Sequence, residues 1–125
     1  MNVNIRRNGG ALKFKATNPG GATALIDGLS ESDGMRPMEL LLSALGTCAA
    51  FDTVKILEKQ RQSVDDIQID ILGHRSEEGY PNPFTKIELE FRLYGHIDKE
   101  KAETAVSLAV DKYCSVRDSL NPNMD

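Results

Sequence analysis

Two cysteines are the residues of this chain whose side chains could carry covalent chemistry. Cys48 and Cys114 lie 66 positions apart in a chain of 125 residues, and they are its only two thiols. Such a pair can be inert core residues, a structural disulfide, part of a metal site or a redox couple. Both lie on apolar faces of predicted helices, and free cysteine is among the most buried residue types, so inert burial is a strong alternative. A redox couple needs a reachable thiol of low pKa and a second thiol that resolves its sulfenic acid.

The histidines offer weak support for a metal site or a catalytic base. His74 and His96 could join the two cysteines around zinc, but no close pair of the C-x₂-C or H-x₃-H kind exists. The chain also has no phosphate-binding loop and no dinucleotide fingerprint. The sequence therefore predicts neither a metal nor an organic cofactor.

A low pKa at Cys48 requires a nearby cation, because this residue is well inside its predicted helix and away from the N-terminus. Glu39 could orient an arginine, although it precedes Cys48 by nine residues, about 13 Å along a regular helix and on the opposite face. Its other role is a favourable interaction with the helix dipole. A carboxylate that serves the thiol is therefore expected from a second subunit. Four arginines are candidates for the cation: Arg6, Arg7, Arg36 and Arg117.

The central predicted element is a helix over 37–61. Its first half is apolar on all sides, which is typical of a helix buried by a sheet or by a partner subunit, and its second half is amphipathic. Gly46 is unfavourable within a helix, and we expect it to allow the close approach of another backbone. The apolar run, interrupted by Ser43 and Thr47, is expected to be too short to span a bilayer.

The remaining elements complete one α+β domain over 1–125. Residues 1–29 are predicted to form an antiparallel meander of strands, and residues 30–34 a polar loop. Alternating apolar residues predict a strand pair over 64–95. Asp98 is a plausible N-cap for a second helix over 99–114. Its predicted apolar face contains Ala102, Ala105, Val106, Ala109 and Val110, and Cys114, four residues after Val110, would continue the buried stripe. The C-terminal residues 119–125 are expected to be frayed.

Composition narrows the partners and the compartment. The formal net charge is −4, with the 15 basic residues interspersed among 19 acidic ones, which argues against binding to nucleic acid. The N-terminus has no apolar segment of a secretory signal. We therefore expect a cytoplasmic protein that does not enter a membrane, and in that compartment a disulfide is more often transient than structural.

Several motifs together resemble the OsmC/Ohr family, named for osmotically inducible protein C and organic hydroperoxide resistance. The central string is GMRPMELLLSALGTC over 34–48, followed by FDTV over 51–54 and by Ile56-Leu57. The strings GHR over 73–75 and YCSV over 113–116 match in order and spacing. The resemblance covers nearly the whole chain and is greatest to the small OsmC-like branch.

This resemblance implies a fold in which antiparallel sheets from two intertwined subunits enclose long central helices. It also implies thiol-dependent reduction of organic hydroperoxides or hydrogen peroxide, without metal or flavin, with Cys48 as the peroxidatic thiol and Cys114 as the resolving one. A dithiol or another thiol would reopen the disulfide. The chain departs from characterised peroxidases, which have their catalytic glutamate directly after the helix-start proline, where this chain has Met38 and then Glu39. Two alternatives therefore stay open: a non-enzymatic domain that binds an apolar ligand or partner, and a redox sensor.

Overall fold

A computed structural model describes residues 1–29 and 33–125. The chain divides into two compact units, Met1–Leu41 and Leu42–Asp125, and each is described by itself. Most of the predicted loop over 30–34 lies outside the described residues. The assignment of 1–125 to one domain stays a prediction.

The first unit contains a three-stranded antiparallel meander, as predicted. Its strands are β1 (Asn4–Arg7), β2 (Lys13–Thr17) and β3 (Thr23–Asp27), in the order β1-β2-β3. Gly9 in the first connection has φ of +84° and Gly21 in the second has φ of +89°. Glycine adopts such angles with little strain, which explains a glycine at each of these two positions.

Helix α1 (Pro37–Lys59) confirms the predicted central helix to within two residues. Pro37 begins the helix with a pre-set φ, and Arg61, which has φ of +59°, follows its end. The buried residues recur every three or four positions and form one stripe: Leu45, Gly46, Ala49, Thr53 and Leu57. This chain alone does not bury the first half on all sides, since Phe51 is 66% exposed. The expected burial by a sheet or by a partner subunit stays a prediction.

By length and composition alone, α1 is long and apolar enough to cross a membrane. The expectation that this stretch is too short for a bilayer was therefore wrong. The core helix of a soluble protein meets the same criterion, and 28% of the apolar window of α1 is buried within this chain.

The second unit also contains a long antiparallel hairpin, made of β4 (Ser63–Arg75) and β5 (Phe84–His96). It confirms the predicted strand pair and is longer at the outer ends. The isoleucines at 67, 69 and 71 lie opposite Leu93, Phe91 and Leu89, so one face of the hairpin is continuously apolar. A Cβ atom at Gly46 would overlap Ile71 Cδ1. This glycine therefore admits a side chain of β4, and the predicted close approach of a backbone was wrong.

The predicted helix over 99–114 is not one regular helix. Helix α2 (Lys99–Leu108) begins at its predicted N-cap, where Asp98 accepts a hydrogen bond from the Lys101 N–H at 3.1 Å. A π-helical turn (Ala109–Tyr113) follows, then Cys114 in an extended conformation, and then a short helix α3 (Ser115–Asp118).

The end of the chain is not frayed as expected. The Asp125 N–H donates to the Thr85 carbonyl at 3.1 Å, and the Ile87 N–H donates to the Asp125 carbonyl at 2.7 Å. The last residue is therefore hydrogen-bonded along the edge of β5.

Candidate functional site

The π turn determines where the second cysteine lies. Ala105 and Ala109 are four residues apart and fully buried, and Cys114, five residues after Ala109, is 2% exposed. In an α-helix a residue five positions on would point about 140° away. In a π-helix, hydrogen bonds join residues i and i+5, so these residues lie nearly above one another. The buried stripe is therefore Ala105, Ala109 and Cys114. The predicted apolar face contained both alanines and the predicted burial of Cys114 is confirmed, but Val106 and Val110 are only half-buried.

Cys114 is also the N-cap of α3. Its Sγ atom accepts a hydrogen bond from the Arg117 N–H at 3.4 Å. Burial raises the pKa of the Cys114 thiol, and this effect exceeds the opposing effect of the Arg117 N–H. The Cys48 thiol nearby raises that pKa further, so at neutral pH Cys114 is held as a protonated thiol.

The fold brings together the two cysteines that the sequence separates. The Cys48 side chain lies close enough to Cys114 to raise the pKa of its thiol, and both cysteines are free. Cys48 is half-buried, whereas Cys114 is buried. Two exposed residues of α1, Ala44 and Phe51, lie at helical spacing from Cys48, and the preceding residue Thr47 is also exposed. The surface beside Cys48 is therefore open in the single chain, and the first thiol is the more accessible of the two.

The Arg117 side chain is engaged at the end of the π turn. Its Nη1 donates to the Asp111 carbonyl at 3.3 Å and lies 3.8 Å from Asp118 Oδ1. The last carbonyls of a helix have no intrahelical donor, so this contact satisfies one of them. The candidate cation Arg117 thus contacts the backbone that leads to Cys114, and its own N–H contacts the Cys114 sulfur.

The other predicted charged residues belong to the first unit. The Arg36 N–H donates to Glu39 Oε1 at 3.0 Å, half of a capping box at the start of α1. In β1, Arg6 Nε donates to Asn4 Oδ1 at 3.2 Å and Arg7 pairs with Phe14 of β2. Catalytic roles of Arg36 and Glu39, and support of Cys48 by Arg6 or Arg7, stay predictions.

The histidines lie on the hairpin. His74 Nε2 is 2.7 Å from Glu88 Oε2 on the neighbouring strand, and both side chains are exposed. Hydrogen bonding to His74 lowers the pKa of Glu88, with a further contribution from Lys86. Within 1–29 and 33–125 no three His, Cys, Asp or Glu residues form a group that could hold a metal ion.

Sequence reasoning missed the residues that shape the π turn. Ser107 Oγ donates to Asp111 Oδ2 at 3.2 Å, so Asp111 is contacted through its carboxylate by Ser107 and through its carbonyl by Arg117. The available signal was the pair of small residues at 105 and 109 followed by cysteine after five positions. That spacing fits a π turn and does not fit a continuous α-helix.

Comparisons with known proteins place the chain in a family and find relatives of similar fold. Residues 30–125 match the family model described as OsmC-like protein. Protein YhfA of Escherichia coli K12 is 42% identical over 106 residues, which cover 84% of this chain and 78% of YhfA. A crystal structure of a hypothetical protein from Aquifex aeolicus VF5 superposes with a TM-score of 0.85 at 30% identity, covering 100% of this chain and 91% of that one. A Legionella pneumophila structure described as an organic hydroperoxide resistance protein OsmC, predicted redox protein and regulator of sulfide bond formation has a TM-score of 0.70 at 16% identity, covering 100% and 93%.

Proposed function

Because this chain belongs to the OsmC-like family, we propose that it is a thiol-dependent peroxidase that reduces organic hydroperoxides or hydrogen peroxide. The observation that supports this proposal most is the proximity of Cys48 and Cys114, two reduced thiols that are 66 positions apart in sequence. Inert core cysteines do not need to lie near each other. A peroxidase that forms an intramolecular disulfide requires its two cysteines to be close.

The proposed cycle has three steps. The Cys48 thiolate attacks one oxygen of the peroxide, the O–O bond breaks, and an alcohol or water leaves after taking up a proton. Cys48 is then a sulfenic acid, which the Cys114 sulfur attacks to form the S–S bond as the S–O bond breaks and water leaves. A dithiol or two monothiols reduce the disulfide and restore both cysteines.

Burial supports this assignment of the two roles. Cys48 is the more accessible thiol and lies beside an exposed surface on α1. Cys114 is buried and its raised pKa keeps it protonated at neutral pH, so it is a poor first nucleophile. In the second step, proximity to Cys48 compensates for the low thiolate fraction of Cys114, because the two sulfurs of one chain need not meet by diffusion.

We further propose that the protein is a cytoplasmic homodimer. The exposed Phe51 side chain and its neighbours Ala44 and Thr47 supply an apolar surface on α1 that a second subunit would cover. A partner subunit could then also supply a cation or carboxylate beside Cys48, such as Arg36 or Glu39. Light scattering after gel filtration should give a dimer for the wild type and a monomer for Phe51→Asp, because burying an unpaired carboxylate is unfavourable. A monomeric wild type would contradict the dimer.

The peroxidase proposal is tested by mass spectrometry of the non-reduced protein after one equivalent of cumene hydroperoxide. The wild type should lose two hydrogens and yield a peptide pair joined through Cys48 and Cys114. Cys114→Ser should instead accumulate a sulfenic acid at Cys48 that dimedone traps, and Cys48→Ser should form neither product. Absence of the disulfide in the wild type would overturn the proposal. The exposed apolar surface on α1 would then favour a binding role for an apolar ligand or partner.

A further inference from the structure

The contacts of Arg117 suggest a role in the second step of the proposed cycle. Its backbone N–H lies 3.4 Å from Cys114 Sγ, and its guanidinium Nη1 lies 3.3 Å from the Asp111 carbonyl. One residue therefore contacts both the sulfur and the π turn that carries the sulfur. The remaining contact of the guanidinium, at 3.8 Å from Asp118 Oδ1, is a longer ion pair within α3.

We propose that Arg117 is a positioning residue that holds Cys114 against Cys48 by fixing the end of the π turn. This inference rests on the proposed function for its catalytic consequence. The Arg117 guanidinium touches no reacting atom. It acts through Asp111 and the two residues between Asp111 and Cys114. The Asp111 carboxylate is held separately by Ser107 Oγ at 3.2 Å, so the carbonyl and the side chain of Asp111 are both fixed.

The π turn explains why such a contact is needed. Only a turn with i to i+5 bonding keeps Cys114 in line with Ala109, and a relaxation to α-helical spacing would rotate the thiol by about 140°. The Asp111 carbonyl is near the end of the turn, where intrahelical donors are missing. Loss of the guanidinium would therefore allow the turn to relax and would lower the fraction of time that the two sulfurs are in reach.

The expected effect is confined to disulfide formation. The Arg117 side chain is 49% exposed, so in a variant water can partly replace its hydrogen bond to the Asp111 carbonyl. Removal of one such bond should slow disulfide formation about two- to tenfold. The first attack of Cys48 on peroxide should be unchanged, because Arg117 contacts Cys114 and Asp111 rather than the peroxide.

The test is quenched-flow mass spectrometry with cumene hydroperoxide, following the sulfenic acid and the disulfide separately. Arg117→Ala should form the sulfenic acid at the wild-type rate, form the disulfide about two- to tenfold more slowly, and give more dimedone adduct. Arg117→Lys should recover part of the rate, since it retains a cation that can donate to the carbonyl. The matched control is Arg75→Ala, which removes a guanidinium from the Asn82 carbonyl at 2.8 Å in the β4–β5 connection and should leave both rates unchanged.

A second measurement keeps this inference separate from the peroxidase proposal. Equilibration with reduced and oxidised glutathione gives the effective concentration of Cys114 for Cys48 without any peroxide, and Arg117→Ala should lower it about two- to tenfold. A wild type that forms its disulfide with glutathione but not with peroxide would overturn the peroxidase and leave Arg117 supported by this shift. Equal slowing of both peroxide steps, an unchanged effective concentration, or no disulfide in either assay would overturn the positioning role.

Discussion

The two cysteines lie in different kinds of backbone. Cys48 occupies a regular position in α1, half-buried beside an exposed face. Cys114 follows a π turn, is buried, and caps a four-residue helix. The first site gives access to a small molecule, and the second holds a thiol in one place. This difference suits the two steps of the proposed cycle, in which one sulfur would meet the peroxide and the other would meet only the first sulfur.

The difference predicts unequal effects of the two serine variants on steady-state turnover. With dithiothreitol as reductant, Cys48→Ser should lose more than about 100-fold of the peroxide consumption, because a serine hydroxyl is not ionised near pH 7. Cys114→Ser should lose about 10- to 100-fold, because the external thiol must replace an intramolecular one. The measurement is the rate of cumene hydroperoxide loss. Equal activity of Cys48→Ser and wild type would remove the distinction between the two sites.

The packing that fixes Cys48 can be broken at Gly46, two residues earlier. Gly46→Leu should destabilise the protein by about 1–3 kcal/mol, because its side chain would enter the space of Ile71 and Ile69 on β4. Gly46→Ala should be near neutral, since only the mobile end of Ile71 must move and alanine gains about 1 kcal/mol of helix propensity. Urea unfolding measures both differences. If Gly46→Leu were as stable as the wild type, α1 would not be held closely against β4.

The sequence predicts the context of Cys48 well and that of Cys114 poorly, for a physical reason. Helix α1 and the β4–β5 hairpin follow from hydrophobic periodicity, which is a property of the residues themselves. The π turn spaces its hydrogen-bonded residues five apart, one more than in an α-helix. Val106 and Val110 offer an equally apolar stripe at regular α-helical spacing. The periodicity places Ala105 and Ala109 on the same apolar face as the two valines. Which of these residues is buried most deeply depends on how closely neighbouring elements approach, and the periodicity does not contain that information.

The same distinction applies to charged residues. Asp98 was identifiable as an N-cap because the pattern is local, and the Arg36–Glu39 contact is equally local. Arg117 was a candidate cation from its distance in sequence to Cys114. Its contact with the Asp111 carbonyl could not be foreseen, because it depends on the change of helix type between them.

The burial of Cys114 should also affect how the rate of disulfide formation depends on pH. Because burial raises the pKa of Cys114, the rate of disulfide formation should continue to rise above the ordinary thiol pKa of about 8.5, since the thiolate is the attacking species. Quenched-flow measurements from pH 7 to 10 test this, starting from preformed sulfenic acid. A plateau at the ordinary thiol pKa would contradict the burial effect.

The raised pKa has a consequence for stability with a definite sign. Between the unfolded and folded pKa values of Cys114, the folded state binds more protons than the unfolded state, so the free energy of unfolding falls as pH rises. This contribution is fully present below the unfolded pKa and is lost as pH rises through the folded one. Urea unfolding of reduced wild type against Cys114→Ser should therefore converge or cross toward alkaline pH. Parallel stability profiles would show that Cys114 ionises equally easily in both states.

The smallest expected effect concerns the N-caps of the two helices in this region. Asp98 caps the ten-residue α2 with a carboxylate oxygen at 3.1 Å from the Lys101 N–H, whereas Cys114 caps α3 with a weakly accepting sulfur at 3.4 Å from the Arg117 N–H. Asp98→Ala should destabilise the protein by about 1 kcal/mol, and Asp98→Ser by less, because serine is also a good N-cap. At Cys114, serine should likewise be more stable than alanine, by about 0.5 kcal/mol or less, since α3 is one turn long and the hydroxyl is buried. Thermal unfolding of the four reduced variants measures these differences. If Cys114→Ala were more stable than Cys114→Ser, the Cys114 sulfur would stabilise the protein through apolar packing alone. The hydrogen bond from the Arg117 N–H would then help to position Cys114 but would not stabilise α3.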